Sequence, residues 1–302
     1  MSETRLFQLS GLSVSEISSE AGGLEKSLQT LIERNLPIMF GVRFLASEYS
    51  TGKVHSGRID TLGLDEDACP VIVEYKRAIS QNIINQGLDY LDWLMDHKAE
   101  FKLLVLEKFD KEHADSIDWT SPRLICIAAS FTKHDERAIR QMNRNIDLVR
   151  YSRFGSNLLA LELLTSATGD AQENESEAKK TAKKVGDKPV SVAIADMDDN
   201  MHDLYEGLRA FILALGDDVT EKQLKLYVAF RRIKNFASVV VQKACLVVYL
   251  KVNPGSVQLI EGFTRDVRTV GHWGTGDLEV LVRSKDDLKG AEPLILRSYE
   301  GS

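Results

Sequence analysis

The chain has 302 residues, a formal net charge of −7, and 43% hydrophobic and 27% charged residues. At roughly 100–200 residues per domain there is room for two domains, and the apolar share excludes disorder of the whole chain. The net charge excludes a nucleic-acid coat protein, whose affinity comes from neutralising many phosphates, but not a nuclease, which carries its own carboxylates.

In chain order, Leu24, Leu28, Leu31, Ile32 and Leu36 follow helical spacing and predict a helix over 21–35 that Pro37 ends. Strands are expected at Ile38–Ser47, His55–Leu64 and Val71–Lys76. The polar turn Asp65-Glu66-Asp67-Ala68 joins the last two into a hairpin. Helices over Ser80–His97 and Lys98–Phe109 follow. Next come a buried strand Arg123–Ser130, a helix Lys133–Met142, and strands Ile146–Phe154 and Leu158–Leu164. This order predicts an α/β layered domain with a mixed sheet over residues 1–165. Residues 166–192 hold almost no large apolar residues and alternate acidic and basic runs, so a charged flexible linker is expected there, part-helical around Glu177–Lys184. Residues 193–302 read as a smaller α+β domain. Its expected elements are helices Met201–Leu215 and Val219–Phe230, strands Phe236–Gln242, Ala244–Val252, Asp266–Val270 and Leu278–Arg283, and a closing helix Asp286–Tyr299.

No stretch is long and apolar enough to span a bilayer, and the N-terminus has neither the basic start nor the apolar core of a signal peptide. Cys69, Cys126 and Cys245 are odd in number and lack CxxC spacing, which predicts neither disulfides nor structural zinc and makes a reducing cytoplasm the expected location.

The segment GRIDTLGLDEDACPVIVEYKR, residues 57–77, carries the chemistry. Glu74 and Lys76 are two apart in one strand and share a face, whereas Val71, Val73 and Tyr75 take the other. A carboxylate and an ammonium among valines are costly to desolvate. A divalent metal would justify them: Asp60 and Glu74, brought together across the hairpin, are hard oxygen ligands of the kind Mg²⁺ takes. Lys76 beside them could orient an attacking water and stabilise charge on a phosphate. The competing reading is an edge strand with an ordinary Glu–Lys pair. Gln86 and Tyr90, four apart on the following helix, share a face.

The array Gly57-Arg58-Ile59-Asp60, Val73-Glu74-Tyr75-Lys76-Arg77 and Gln86-Gly87-Leu88-Asp89-Tyr90 resembles the PD-(D/E)XK nuclease superfamily, and most of all the catalytic domain of the NucS (EndoMS) endonucleases, over roughly residues 20–130. The resemblance implies a restriction-endonuclease-like mixed sheet with flanking helices. It implies a metal-dependent endonuclease acting on DNA, with Mg²⁺ or Mn²⁺ held by Asp60 and Glu74 and with Lys76 as the catalytic lysine. Gln86 and Tyr90 would be the accessory pair. A glutamate of the first helix often completes such sites; Glu25 is chosen here over Glu33. Ile59 stands where the superfamily name has proline, and Tyr75 replaces an aliphatic residue but points away. The DNA-binding domain of the NucS enzymes is not recognisable, so mismatch specificity is not implied.

Arg58 and Arg77 flank the array and could hold DNA phosphates, or be solvated strand-end arginines. Lys133, Arg137, Arg140, Arg144, Arg150 and Arg153 could supply a basic rim. Repair, restriction or phage defence would suit such an enzyme, and a homodimer would let two sites cut both strands. The alternative is a nucleic-acid-binding or scaffold protein that keeps the fold without cutting.

Residues 196–300 resemble small C-terminal domains labelled predicted transport proteins, a label with no membrane segment behind it. There, His272-Trp273-Gly274-Thr275-Gly276-Asp277 could hold a phosphate or base, although a tight turn with Trp273 in the core is the favoured reading. Lys222–Lys234 interleaves Lys225, Arg231, Arg232 and Lys234 with Tyr227 and Phe230, and reads either as a nucleic-acid contact or as core aromatics with solvated cations. Among the histidines only His55, five residues before Asp60, is of interest.

Overall fold

The computed structural model of the chain describes residues 4–20, 25–52, 57–77, 82–167, 169 and 188–302. His55 and the expected helix at Glu177–Lys184 lie outside the described residues.

A two-stranded sheet opens the chain, β1 (Leu6–Ser10) with β2 (Ser13–Ile17). Neither strand is expected from the sequence, because single apolar residues alternate with serine and glutamine and most stay exposed. After β3 (Ser19–Glu20), helix α1 (Glu25–Phe40) buries Leu28, Ile32, Leu36 and Phe40 along one stripe. Pro37 does not end it. The chain kinks at Asn35 (φ −125°, ψ 15°) and the helix resumes, since proline lacks an N–H and crowds the preceding turn yet suits the first turn of a helix segment that restarts after Asn35. Gly41 (φ +64°) then closes the helix, donating to Pro37 O at 3.1 Å. The next strand, β4 (Val42–Ser50), therefore starts later than the expected Ile38.

Strands β5 (Arg58–Asp65) and β6 (Pro70–Lys76) form the hairpin. Asp65 Oδ1 ties its turn by accepting from Asp67 N (3.0 Å) and Cys69 N (2.8 Å). Then follow α2 (Ile83–Asp96), α3 (Lys98–Lys108), α4 (Lys111–Asp115), β7 (Arg123–Ala128), α5 (Lys133–Ile139), β8 (Asn145–Phe154) and β9 (Leu158–Ala167). The sheet order is β3-β8-β7-β6-β5-β4, with β9 paired to β8; β6-β7-β8 run parallel and the other pairs are antiparallel. Leu28, Ile32 and Leu36 cover one face through Val71, Val73, Tyr75 and Ile125. Ile83, Leu91 and Leu94 cover the other through Ile72, Leu124, Cys126 and Leu148. A helix, a three-stranded meander, a crossover helix and a parallel strand make this a mixed α/β sheet of the restriction-endonuclease-like kind.

The remaining chain forms α6 (Val190–Ala195), α7 (Asp199–Leu213), β10 (Thr220–Gln223), β11 (Val228–Arg231), β12 (Asn235–Gln242), β13 (Cys245–Leu250), β14 (Thr264–Asp266), β15 (Leu278–Val282) and α8 (Lys285–Glu300). Its antiparallel sheet runs β10-β11-β12-β13-β15-β14. Leu204, Leu208 and Ile212 of α7 and Ile295 of α8 pack on Phe230, Phe236, Val239 and Val248. The expected helix over 219–230 is instead a hairpin, closed by Leu224 N donating to Tyr227 O (2.9 Å). Pairing of Val228–Phe230 with β12 outweighs the weak helical preference of the segment. The strand expected at Asp266–Val270 lies instead at Thr264–Asp266, sharing only Asp266 with the expected range. Val190 is buried in this second core and donates to Lys225 O (2.8 Å).

The two sheets meet through buried polar groups. Tyr227 OH and Asn235 Nδ2 each donate to Asp67 Oδ1 at 2.7 Å. Lys222 Nζ lies 3.3 Å from Cys69 Sγ and 3.9 Å from Asp65 Oδ2. Lys251 pairs with Glu66. Asp147 accepts from Arg123 Nε (2.6 Å) and Arg231 Nη2 (3.5 Å), and Arg123 Nη2 donates to Ile233 O (2.9 Å). The acidic turn of the β5–β6 hairpin is thus held by cations and hydroxyls of the second sheet.

Candidate functional site

The β5–β6 register pairs Thr61 with Val73, so one step toward the open end of the hairpin sets Asp60 beside Glu74. Asp60 N donates to Glu74 Oε1 (3.1 Å) and Tyr75 N donates to Asp60 Oδ2 (3.0 Å). Leu62 and Ile72, two residues inward on these strands, belong to the core under α2, so both carboxylates face that side. Tyr75 lies in the α1 core on the opposite face.

Glu74 is 0% exposed, and among the described residues its Oε2 has no hydrogen-bond partner. Burial, and then the neighbouring charge of Asp60, push its carboxyl up to about 9. Burial also raises Asp60, against the hydrogen bond from Tyr75 N. Lys76 lies close enough for its charge to favour the ionised form of both acids. Lys76, Ala128 and Arg150 occupy one row across β6, β7 and β8, so Arg150, paired with Glu162, stands on the same face two strands away.

Helix α1 approaches from the other side of the hairpin. Glu25 Oε2 accepts from Arg77 N (3.0 Å), and its charge raises Asp60. Glu33 accepts from Thr61 Oγ1 (2.8 Å) and Gln29 Nε2 (3.0 Å), which turns it toward the α1 core rather than the carboxylate pair.

Gln86 Nε2 donates to Tyr90 OH (3.0 Å), which also accepts from Arg58 N (3.1 Å). The pair fastens the start of β5, two residues before Asp60. Gln86 and Tyr90 line a cavity of ≈ 660 Å³ with Gly57, Asn82, Asn85, Asp89 and Asp92, and neither Asp60 nor Glu74 lines it. Gly57 is required here, because a Cβ would stand 2.6 Å from the Tyr90 ring. Tyr90→Phe leaves the ring and orphans Arg58 N, so a loss of about 1–2 kcal/mol is expected. Thermal melting checks this, with a fall of a few degrees as the expected result.

Glu48 is a neighbour that the sequence reading misses. It lies on β4 between the pairs Ser47–Thr61 and Tyr49–Ile59, across from Asp60, in a left-handed conformation (φ +53°). Its charge raises both Asp60 and Glu74. The Lys26 hydrogen bond holds its own carboxyl below the ordinary value. Its position depends on strand register, which no local pattern announces.

Other sequence candidates are placed elsewhere. Lys222 and Arg231 are neither solvated nor free for nucleic acid; both are buried against the first sheet. Trp273 is 49% exposed rather than in the core, and His272 stacks on Tyr249 with ring centroids 4.4 Å apart. Gly274 (φ +84°) passes so close to Ser238 that a Cβ would collide with it, which makes the segment a tight turn. Among the described residues no group of three or more His, Cys, Asp or Glu side chains is arranged to hold a metal, and no helix is long and apolar enough to cross a membrane.

The architecture defines a restriction-endonuclease-like α/β protein with an appended α+β unit. Residues 191–302 match a domain of unknown function, DUF5655. An uncharacterized protein of Haemophilus influenzae is 28% identical over 297 residues, covering 95% of this chain and 96% of that protein. A repair endonuclease from Pyrococcus abyssi is similar in structure at 19% identity and TM-score 0.29, over 44% of this chain and 49% of that one. An EndoMS–double-stranded DNA complex is similar at 17% identity and TM-score 0.25, over 49% and 64% of the two chains. The chain thus spans about half to under two thirds of the solved chains it matches.

Proposed function

We propose that this protein is a Mg²⁺-dependent endonuclease that hydrolyses DNA phosphodiester bonds. One observation carries the reading. Two carboxylates on adjacent strands, Asp60 and Glu74, converge beside Lys76, and Glu74 is wholly buried with one oxygen that has no hydrogen-bond partner among the described residues. A buried anion beside a second anion is costly unless a cation joins them. The donor set suits Mg²⁺, which takes one or two protein carboxylates and fills its other positions with water and phosphate oxygens.

Asp60 and Glu74 would hold the ion, and Glu25, whose charge reaches Asp60, would extend the acidic wall. Bound Mg²⁺ lowers the pKa of water and offsets charge on a phosphoryl oxygen. The Lys76 ammonium orients the attacking water and stabilises the charge that develops on the phosphate. Gln86 and Tyr90 keep the start of β5 in place through Arg58 N. Arg58 and Arg77 bind backbone phosphates on either side. The resemblance to NucS-type nucleases supports the same assignment, and repair, restriction or defence are the roles that fit it.

The test is incubation with supercoiled and linear DNA in Mg²⁺, Mn²⁺ or chelator. Cleavage is expected with either metal and not with chelator, and is lost in folded Lys76→Ala and Glu74→Ala variants. Cleavage that survives both substitutions rejects the assignment. Mn²⁺ is expected to raise the melting temperature of the wild type and not of Asp60→Ala.

A further inference from the structure

Glu48 stands within β4, two residues from its end, in a backbone conformation that a glutamate adopts rarely and at a cost. Its two oxygens are divided between two cations. Oε1 accepts from Lys26 Nζ at 2.7 Å, and Oε2 lies 2.5 Å from Arg58 Nε. Both cationic side chains are exposed, Lys26 by 60% and Arg58 by 69%, whereas that of Glu48 is 30% exposed. Exposed ion pairs contribute little stability, so these two do not account for a strained residue.

The surroundings indicate what the arrangement does. Lys26 Nζ also donates to Gln29 Oε1 (3.2 Å). Gln29 is buried, and its amide donates to Asp60 O (2.9 Å), so the ammonium is located relative to the backbone of the proposed metal ligand. Arg58 is two residues from Asp60, and its own N–H is fastened to Tyr90. Two cations sharing one carboxylate keep a net charge of +1 beside an otherwise acidic wall. Among the described residues Arg58 keeps the four N–H donors beyond the one at Nε, and the Lys26 ammonium with two acceptors keeps its third. That is enough for a two-point grip on one phosphate.

We propose that Glu48 is a positioning residue that fixes Lys26 and Arg58 as a clamp for a DNA backbone phosphate next to the Asp60–Glu74 pair. The proposal rests on the nuclease reading above and extends it to two residues outside the motif array, Lys26 and Glu48. The carboxylate aims the cations; the substrate phosphate meets their remaining donors.

The full chain is compared with Glu48→Gln, Glu48→Gly, Lys26→Ala and Arg58→Ala. Binding to a short duplex is followed by fluorescence anisotropy in chelator across a range of salt, together with cleavage kinetics in Mg²⁺ and thermal melting. Each cation variant is expected to lower the slope of log K against log salt by about one phosphate. Glu48→Gln is expected to weaken binding about 3- to 10-fold and raise KM with kcat within about twofold, at an unchanged melting temperature. Glu48→Gly, which removes the backbone strain, is expected to weaken binding equally without melting lower than the wild type, an outcome that a purely structural role does not produce. Tighter binding by Glu48→Gln overturns the proposal, because the carboxylate would then be masking the cations; so does an unchanged slope and KM. Wild type that fails to cleave while the slope differences persist rejects the nuclease reading and keeps the clamp. Cleavage without slope differences does the reverse.

Discussion

Glu74→Gln is expected to lower DNA cleavage by on the order of 10³-fold while leaving the metal-free protein at least as stable as the wild type. The amide keeps the shape of the side chain and removes the charge that a cation needs. It also removes a burden, because a wholly buried carboxyl raised from 4.5 to about 9 must be protonated in the native state or held charged at a cost. In chelator the sign is definite. A folded pKa above the unfolded one means that the native state binds the extra proton between about pH 4.5 and 9. Its contribution is complete below the ordinary carboxylate range and is lost as pH rises through that window. Glutamine does not titrate, so melting curves in EDTA at pH 5, 7 and 9 are expected to separate progressively in favour of Glu74→Gln. Wild type melting above the variant at pH 9 without metal would show that burial does not burden this carboxyl.

Asp147→Ala is expected to be the most destabilising single change. The carboxylate is 0% exposed and accepts from Arg123 on its own sheet, from Arg231 on the other, and from Ser166 Oγ at 2.5 Å. Removing it takes from two buried guanidinium groups the one carboxylate they share, leaving only the charges of Asp65 and Asp67 to act on them, a loss of about 3–5 kcal/mol. That corresponds to roughly 10 °C in melting temperature for a protein of this size. Because Arg123 also bonds Ile233 O across the interface, the variant is expected to unfold in two transitions where the wild type shows one. Scanning calorimetry reads both. Burial alone would raise the carboxyl of Asp147, but the charges of Arg123 and Arg231 hold it below the ordinary value. The stability it confers is therefore present above the ordinary carboxylate range and lost as pH falls through its folded pKa. Asp147→Asn is expected to flatten the acid limb of the melting-temperature profile. Asp65, raised by its own burial, acts in the opposite sense and favours the fold at low pH.

Much of the first sheet is legible in the chain. The polar turn Asp65-Glu66-Asp67-Ala68 sets the register of its hairpin, and the two-residue period then determines that Asp60 and Glu74 share a face opposite Tyr75. The four-residue period does the same for Gln86 and Tyr90. These are local matters: one turn and one strand or helix decide them. Pro37 misleads because it bends α1 at Asn35 instead of ending it, and every boundary up to β4 moves with it.

What the sequence by itself determined is the order of the main elements between α1 and β9 and which side chains lie on a common face of β5, β6 and α2, since local period fixes both. What covers each face was decided only by the tertiary structure. Lys222 and Arg231 carry the pattern of solvated cations yet lie buried against Asp65 and Asp147, because the second sheet docks on an acidic turn that precedes it by more than 150 residues. Glu48 joins the carboxylates only through the β4–β5 register, which shifts between Phe44 and Ala46. Residues 220–231 became strands because β12 offered an edge. In each case a weak local preference yielded to the free energy of a long-range partner, whose position no stretch of neighbouring residues encodes.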